Sequence, residues 1–194
     1  SNDASVNWVR NAGGVISPPA PEANTSLKTF DQSGISHRCL YAASSDQVYD
    51  AYSSLGFNYT GDFRGIQTLK YNAEEALSLI VLPTNDALAY VLYPPLLDNA
   101  FQTLLSIIVC NNADTVSDRV FLPTDISQLT LLRGNYHEVS EYWCHAVITE
   151  SSDRGLLGNA DIYQADGTLV ARVEGLRCVS VHKEIWDSLV TDDS

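Results

Sequence analysis

The stretch from Leu96 to Val109 constrains the fold of this chain more than any other feature. Almost every residue in it is apolar, and Asp98 is its one ionisable group. A helix that is apolar all round belongs inside a protein, where other elements cover it. The sequence therefore predicts a long central helix over Pro94–Val109, with Pro94 in the first turn, where a missing N–H is harmless.

Asp98 is the candidate for chemistry in this helix. An ionised carboxylate on a buried face is costly unless it is paired, neutral or lines a cavity. Gln102 follows four residues later, one turn away on the same face. From the residues alone, two interpretations stay open. Asp98 could stabilise the first turn of its own helix as an N-cap-like carboxylate, or it could be a functional acid held by Gln102.

Composition excludes several classes of partner. The chain has 194 residues, enough for one domain, and 45% of them are hydrophobic, enough for a sizeable core. A net charge of −13 argues against nucleic acid and anionic membranes, since both are polyanions. There is no signal peptide and no apolar run of transmembrane length, so we expect a cytoplasmic protein.

The cysteines predict neither a metal site nor a disulfide framework. Zinc sites need closely spaced pairs of ligands. Buried free thiols in a reducing compartment are therefore expected. The four cysteines, which lie far apart along the chain, are Cys39, Cys110, Cys144 and Cys178.

The remaining pattern is mostly that of strands. A second helix is predicted at Ser45–Leu55, and Ala165-Asp166-Gly167 is typical of a hairpin turn. Residues 17–36 are predicted as a linker, because they are rich in proline and small polar residues. The predicted fold is α+β: an antiparallel sheet wrapped around a long central apolar helix, as in hot-dog folds. The strands are predicted at Val6–Ile16, His37–Ala43, Phe63–Tyr71, Ala76–Leu82, Arg119–Leu122, Ile126–Leu132, Glu141–Ile148, Leu157–Tyr163 and Thr168–Val181.

Four segments in order resemble one family, the dehydratase domains of type I polyketide synthases. Gly56-Phe-Asn-Tyr59-Thr-Gly-Asp-Phe63-Arg64 is similar to their G-x-x-Y-G-P-x-F-R/Q segment, and Tyr93-Pro-Pro-Leu-Leu-Asp98-Asn-Ala-Phe-Gln102 to their H-P-x-L-L-D-x-x-x-Q helix. Phe121-Leu-Pro and Val170-Ala-Arg-Val-Glu-Gly resemble two later strands. Tyr-Thr-Gly-x-Phe-Arg is closer to iterative, highly reducing synthases of fungal type.

The resemblance implies half of a double hot dog. In that family a catalytic His comes from the first hot dog, in an H-x-x-x-G-x-x-x-x-P motif, and a catalytic Asp from the second. None of the four histidines here fits that motif. We therefore expect residues 1–16 to be the tail of an upstream hot dog, 37–182 the C-terminal half of the dehydratase, and 183–194 a tail. The chain alone is then expected to be inactive.

The resemblance also implies the site and its partners. Asp98 and Gln102 are the expected catalytic residues, and Tyr59, Phe63, Tyr93 and Pro94 the expected substrate-binding ones. The substrate is a 3-hydroxyacyl thioester on the phosphopantetheine of an acyl carrier protein, with no cofactor bound directly. The other partners are the N-terminal hot dog and further synthase domains in cis, or a second copy in a homodimer.

Several alternatives remain. Tyr59 could be a turn aromatic, Phe63 a core residue, and Gln102 an ordinary buried amide. Tyr93 replaces the family's His, which leaves the hydrogen bonding at the helix start open. The alternative functions are a non-catalytic structural or acyl-binding domain and a product-template-like cyclase.

Overall fold

The computed structural model describes residues 13–17, 30–83, 90–112, 118–132 and 139–191. In this part of the chain, seven strands form one antiparallel sheet, in the order β1-β2-β3-β5-β6-β7-β4. The elements in chain order are α1 (Gln32–Arg38), β1 (Tyr41–Ser44), α2 (Ser45–Ser54), a 3-10 turn (Gly61–Phe63), β2 (Ile66–Tyr71), β3 (Glu75–Val81), α3 (Pro94–Asn111), β4 (Arg119–Leu131), β5 (Glu141–Ser152), β6 (Gly155–Gln164), β7 (Leu169–His182) and α4 (Lys183–Thr191).

The predicted central helix is confirmed as α3, which packs on β2, β3, β5 and β6. Leu104 and Ile107 are fully buried between the helix and the sheet. Gly158 on β6 lets the helix come close. A Cβ there would lie 2.6 Å from Cδ1 of Leu104 and 2.7 Å from the carbonyl oxygen of Val147. The long apolar run of the sequence thus becomes the core of the domain.

The predicted helix at Ser45–Leu55 is confirmed as α2. Its N-terminus carries a full capping box, in which Ser44 and Gln47 each bond the other's backbone N–H. The face toward α3 buries Val48, Tyr49 and Tyr52. These two tyrosines carry their hydroxyl groups into the interior, where they need hydrogen-bond partners.

Three predictions at the edges of the domain differ from the structure. Residues 32–38 form α1, where a linker and the start of a strand were predicted. Asp31 caps α1 by accepting from the N–H of Gly34 at 2.9 Å, and Ile35 is buried against Leu77. This segment has weak helical propensity, so tertiary contact and the cap decide its structure. The segment predicted as a tail at 183–194 begins with α4.

The two strands predicted at Arg119–Leu122 and Ile126–Leu132 form one strand, β4. The ladder to β7 shifts register between Pro123 and Asp125 without ending there. A proline is tolerated in such a strand because β4 pairs on one side only and has an irregularity at that point. Of the strand predicted at Val6–Ile16, the part up to residue 12 lies outside the described residues, and residues 13–17 have no regular structure.

An ion-pair cluster joins α1 to β3 and β5. Glu75 accepts from Nε and Nη2 of Arg38 at 2.7 and 2.9 Å, and its Oε2 lies 2.9 Å from Nε2 of His145. The hydrogen bond from the Arg38 guanidinium holds the pKa of Glu75 at about 2, below its ordinary 4.5. A carboxyl with a lowered pKa in the folded state stabilises the protein above its unfolded pKa, and that stability is lost as the pH falls through the folded value.

We therefore expect Glu75→Gln to remove part of the acid sensitivity of the fold. The wild-type free energy of unfolding should fall between pH 4.5 and pH 2 more steeply than that of the variant. Urea denaturation at several pH values measures this. Glu74→Gln is the matched control, since Glu74 is exposed and has no ion pair among the described residues. Equal pH dependence in all three proteins would contradict the expectation.

Candidate active site

Asp98 lies beyond the first turn of α3. Tyr93 is the N-cap residue, Pro94 is the first helical residue, and the first turn holds no acidic residue. The Asp98 carboxylate bonds to no backbone N–H of this turn among the described residues; it accepts from Nε2 of Gln102 at 2.7 Å. The N-cap interpretation is therefore wrong, and the i, i+4 pair predicted from the sequence is present.

Partial burial sets the protonation of Asp98. Desolvation raises the pKa of its carboxyl, and the hydrogen bond from Gln102 offsets part of this rise. The titratable groups that face it are two tyrosines. Burial raises the pKa of Tyr59, with a further rise from the charge of Asp98, and burial raises the pKa of Tyr49 to about 12. Both phenols stay neutral in the range where a carboxyl titrates, so of these three groups Asp98 is the one that can exchange a proton there.

The Gln102 side chain has a fixed orientation. Its Nε2 donates both hydrogens, one to Oδ2 of Asp98 at 2.7 Å and one to the carbonyl oxygen of Phe63 at 2.8 Å. Its buried Oε1 has no partner among the described residues. Rotating the amide by half a turn would place Oε1 against two acceptors and lose both bonds. The orientation in which Gln102 donates to Asp98 is therefore the stable one.

Tyr59 packs edge-on against Tyr52, with ring centroids 5.3 Å apart, and stacks with Phe57 at 6.2 Å. Its ring belongs to an aromatic cluster beside α2. It lies near enough to Asp98 for the charge of that carboxylate to raise the pKa of the Tyr59 phenol. Both interpretations of Tyr59, as a packed turn aromatic and as a residue of the site, are compatible with this position. Phe63 is different: its side chain is 44% exposed, so it does not belong to the core.

Tyr93 and Pro94 lie at the start of α3, at the edge of the site. The hydroxyl of Tyr93 donates to the carboxylate of Asp62 in the 3-10 turn. Pro94 is exposed. Tyr93 therefore links the helix to the loop, and its predicted contact with substrate stays a prediction.

Sequence reasoning missed Asn99, which follows Asp98 directly. Asn99 is completely buried. Its amide binds the backbone of the loop before β2, at the carbonyl of Asp62 and the N–H of Gly65, both at 2.9 Å. A second polar residue inside an apolar helix was a signal in the sequence, because a buried amide requires partners.

Arg64 and the histidines lie away from the Asp98 carboxyl. Arg64 pairs with Asp46 at 2.9 Å, with its guanidinium 4.7 Å from the ring centre of Tyr49, as expected for a structural ion pair. Of the three histidines described, His37 bonds within α1, His145 bonds Glu75 and His182 lies at the end of β7. Within the described part of the chain, none of them contacts Asp98.

The four cysteines are free thiols; three are buried, as predicted, and Cys110 is partly exposed. Among the described residues, no group of three or more His, Cys, Asp or Glu side chains could hold a metal ion. No helix in the described part of the chain is long and apolar enough to cross a membrane.

Comparison with known sequences identifies a group of large synthases. The family model described as polyketide synthase dehydratase N-terminal domain matches residues 27–186. A highly reducing polyketide synthase of Aspergillus aculeatus is 27% identical over 177 residues, which are 90% of this chain and 7% of that protein. A polyketide synthase-nonribosomal peptide synthetase of Aspergillus clavatus is 32% identical over 145 residues, 71% of this chain and 4% of that protein. The chain thus spans a small fraction of these relatives.

Solved structures agree with the fold. The dehydratase domain from the CurK module of curacin polyketide synthase is 29% identical, with a TM-score of 0.69 over 81% of this chain and 54% of that one. The CurJ dehydratase domain gives a TM-score of 0.67 at 21% identity, over 79% of this chain and 53% of that one. Two further CurK dehydratase structures are described as inactive mutants, one with a histidine changed to phenylalanine and one with an aspartate changed to asparagine. The predicted hot-dog fold is confirmed.

Proposed function

Because the chain belongs to the polyketide synthase dehydratase family, we propose that it is the aspartate-bearing half of a double hot dog that removes water from a 3-hydroxyacyl thioester. One observation carries the proposal: the half-buried Asp98 carboxyl has Oδ2 bonded to Gln102 and Oδ1 without a partner among the described residues. Its role is that of the aspartate whose change to asparagine gives an inactive CurK dehydratase.

Asp98 supplies the proton that the leaving group needs. Hydroxide is a poor leaving group, so the C–O bond breaks as a proton is delivered and water departs. The raised pKa of this carboxyl favours the protonated form that the step needs. At the same time a base removes the α proton, and the electron pair of the C–H bond forms the double bond. Asp98 is left as a carboxylate, the base is left protonated, and solvent exchange restores both.

Gln102 determines which oxygen carries the proton. Since Oδ2 accepts a hydrogen bond from Nε2, the acidic hydrogen belongs on Oδ1. Oδ1 is also the oxygen that is free to meet a substrate hydroxyl. Gln102 is therefore a positioning residue: it orients the acid and does not need to touch the substrate.

The base is expected from another part of the synthase. A histidine is changed in the second inactive CurK mutant, and none of the described histidines here contacts Asp98. We assign the base to a first hot dog that precedes this half. The assignment as second half rests on the Asp98 helix, although the matching family model carries the description of an N-terminal domain.

The substrate and its delivery follow from the same assignment. The 3-hydroxyacyl chain arrives on the phosphopantetheine of an acyl carrier protein, with no cofactor bound directly. Phe63 and Pro94, both exposed beside the site, and Tyr59 near Asp98 would contact this chain. Carrier domains are themselves acidic, so a net charge of −13 gives no attraction at the surface. Tethering within one synthase supplies the effective concentration instead.

We expect the isolated 194-residue chain to show no dehydration of a 3-hydroxyacyl thioester, because none of the described histidines contacts the proposed acid. Absorbance of the conjugated enoyl thioester measures the reaction. The positive control is the full dehydratase region of the parent synthase on the same substrate. Turnover by the isolated chain would contradict the assignment of the base to another half.

In the isolated chain, the surface that packs against the first half in this proposal would have no partner. A homodimer that reproduces the double hot dog with two copies is therefore part of the proposal. Light scattering on the purified chain tests this separately. If the chain is a monomer at high concentration, the proposed homodimer is excluded, and the assignment of Asp98 as the acid is unaffected.

A further inference from the structure

The Asn99 amide is saturated with hydrogen bonds. Its Nδ2 donates to the carbonyl oxygens of Asp62 at 2.9 Å and Pro95 at 2.7 Å. Its Oδ1 accepts from the N–H of Gly65 at 2.9 Å and the hydroxyl of Tyr49 at 3.2 Å. The side chain has no exposed surface. Four bonds in a buried site fix one orientation of the amide and hold the backbone that it binds.

Asn99 and Gln102 hold adjacent carbonyl groups of the same loop. Asn99 binds the carbonyl of Asp62, and Gln102 binds that of Phe63. Gly65 lies so close that a Cβ there would be 3.0 Å from both polar atoms of the Asn99 amide. Since Gln102 also binds Asp98, the loop and the acid share one amide group.

We propose that Asn99 is a positioning residue for the acid: it fixes residues 62–65, which hold the Gln102 amide in the orientation that directs Oδ1 of Asp98 toward the substrate. This rests on the proposed function. If the loop moves, the Phe63 carbonyl leaves Gln102, and the amide is free to turn away from Asp98. Asn99 thus acts on the chemistry through two other residues without contacting the substrate.

The first test is Asn99→Ala in the full parent synthase. We expect kcat to fall about tenfold to a hundredfold. A catalytic group misplaced by up to about one ångström lowers the rate by a factor of this order. KM should change by less than about threefold, because the variant leaves the substrate-contacting surface in place. Hydrogen exchange should become faster at the N–H of Gly65, which loses its acceptor.

A double-mutant cycle with Gln102→Ala separates this role from a general loss of stability. If Asn99 acts through Gln102, Asn99→Ala should lower kcat less than about threefold once Gln102 is absent. The pH profile gives a second readout. Loss of the Gln102 hydrogen bond raises the pKa of Asp98, so the alkaline limb of kcat should move to higher pH in both single variants. Tyr59 and Tyr49, the other titratable groups facing Asp98, have raised pKa values and do not enter this range.

Two control variants come from the same helix. Asn111 has matching bonds at the other end of α3, from Nδ2 to the carbonyls of Asn72 and Ile107, and none to the loop. Thr103→Val matches the burial: the Thr103 hydroxyl donates to the backbone carbonyl of Asn99 at 2.8 Å and pairs with Ser78 at 2.7 Å inside the core. The variant therefore removes buried bonds of the same helix without removing any bond of the Asn99 amide. Neither Asn111→Ala nor Thr103→Val should move the pH profile. If Asn99→Ala does not fold, Tyr49→Phe removes one of the four bonds, together with the acceptor of the Ile66 N–H. It should shift kcat in the same direction by a smaller factor.

The results that would overturn the role of Asn99 differ from the result that would overturn the dehydratase assignment. Unchanged kcat in Asn99→Ala, or an equal fall of kcat with and without Gln102, overturns the role of Asn99 while leaving the dehydratase assignment in place. A pH profile that moves equally in Thr103→Val also overturns it. A different result would overturn the proposed function itself: dehydration by a parent synthase that carries Asp98→Asn.

Discussion

Asp98→Asn in the intact synthase is expected to abolish dehydration, with a fall in rate of at least the factor of about 10²–10⁴ that general acid–base catalysis supplies. The amide of asparagine has no proton acidic enough to give to a leaving hydroxyl group. Its oxygen can still accept the hydrogen bond from Gln102, so the side chain should keep its place on α3. The synthase should then release or pass on 3-hydroxyacyl products, which mass spectrometry of the carrier-bound chains detects.

Thermal unfolding of the same variant separates chemistry from folding. Since desolvation raises the pKa of Asp98, an uncharged asparagine is at least as easily accommodated, and Tm should stay the same or rise. Asp62→Asn is a suitable comparison, because Asp62 lies at the same edge of the site and bonds Tyr93. Full dehydration by Asp98→Asn would remove Asp98 as the acid and favour a structural or acyl-binding role for this domain.

The largest effect on stability is expected for Leu104→Ala. Leu104 is completely buried and lies against Gly158, where no side chain can move in to fill a cavity. Replacements of this kind cost about 3–5 kcal/mol, through lost transfer free energy and an unfilled cavity. For a domain of this size that lowers Tm by roughly 6–20 °C. Calorimetry or the midpoint of urea denaturation measures the change.

Leu131→Ala is the matched control for this substitution. Leu131 ends β4 and is 39% exposed, so the change removes the same atoms from a site that is partly solvated. We expect less than about 1 kcal/mol, as for most surface substitutions. Equal losses of stability at the two positions would mean that α3 does not form the centre of the core.

The sequence predicted those elements whose signals are local. α3 follows from a run of apolar residues behind Pro94, and α2 from the capping residues around Ser44. The hairpin at Ala165-Asp166-Gly167 joins β6 and β7, with Gly167 at φ +86°. In contrast, α1 depends on burial of Ile35 against β3, about forty residues further along the chain. No pattern within seven residues carries that information.

The contacts of the site also divide into local ones, which the sequence predicted, and long-range ones, which it did not. The Asp98–Gln102 pair could be predicted because a helix brings residues four apart onto one face. The bonds from Asn99 and Gln102 to the loop join residues 34 to 39 positions apart, and they depend on how the 3-10 turn lies across α3. The bond from Tyr93 to Asp62, 31 positions apart, has the same origin. Such contacts follow from the fold as a whole. A sequence motif can therefore predict which residues belong to the site without predicting their hydrogen-bond partners.

The irregularity at Pro123 has a consequence for solubility. β4 has thirteen residues and, among the described residues, a neighbour on one side only. A strand of that length with unpaired amides is a template on which other chains can add and aggregate. Pro123 offers no N–H to an incoming strand, and the shift in register beside it interrupts the flat row of donors and acceptors. The residue that divided the predicted strand in two is thus also the point at which this strand is least suited to pairing with another chain.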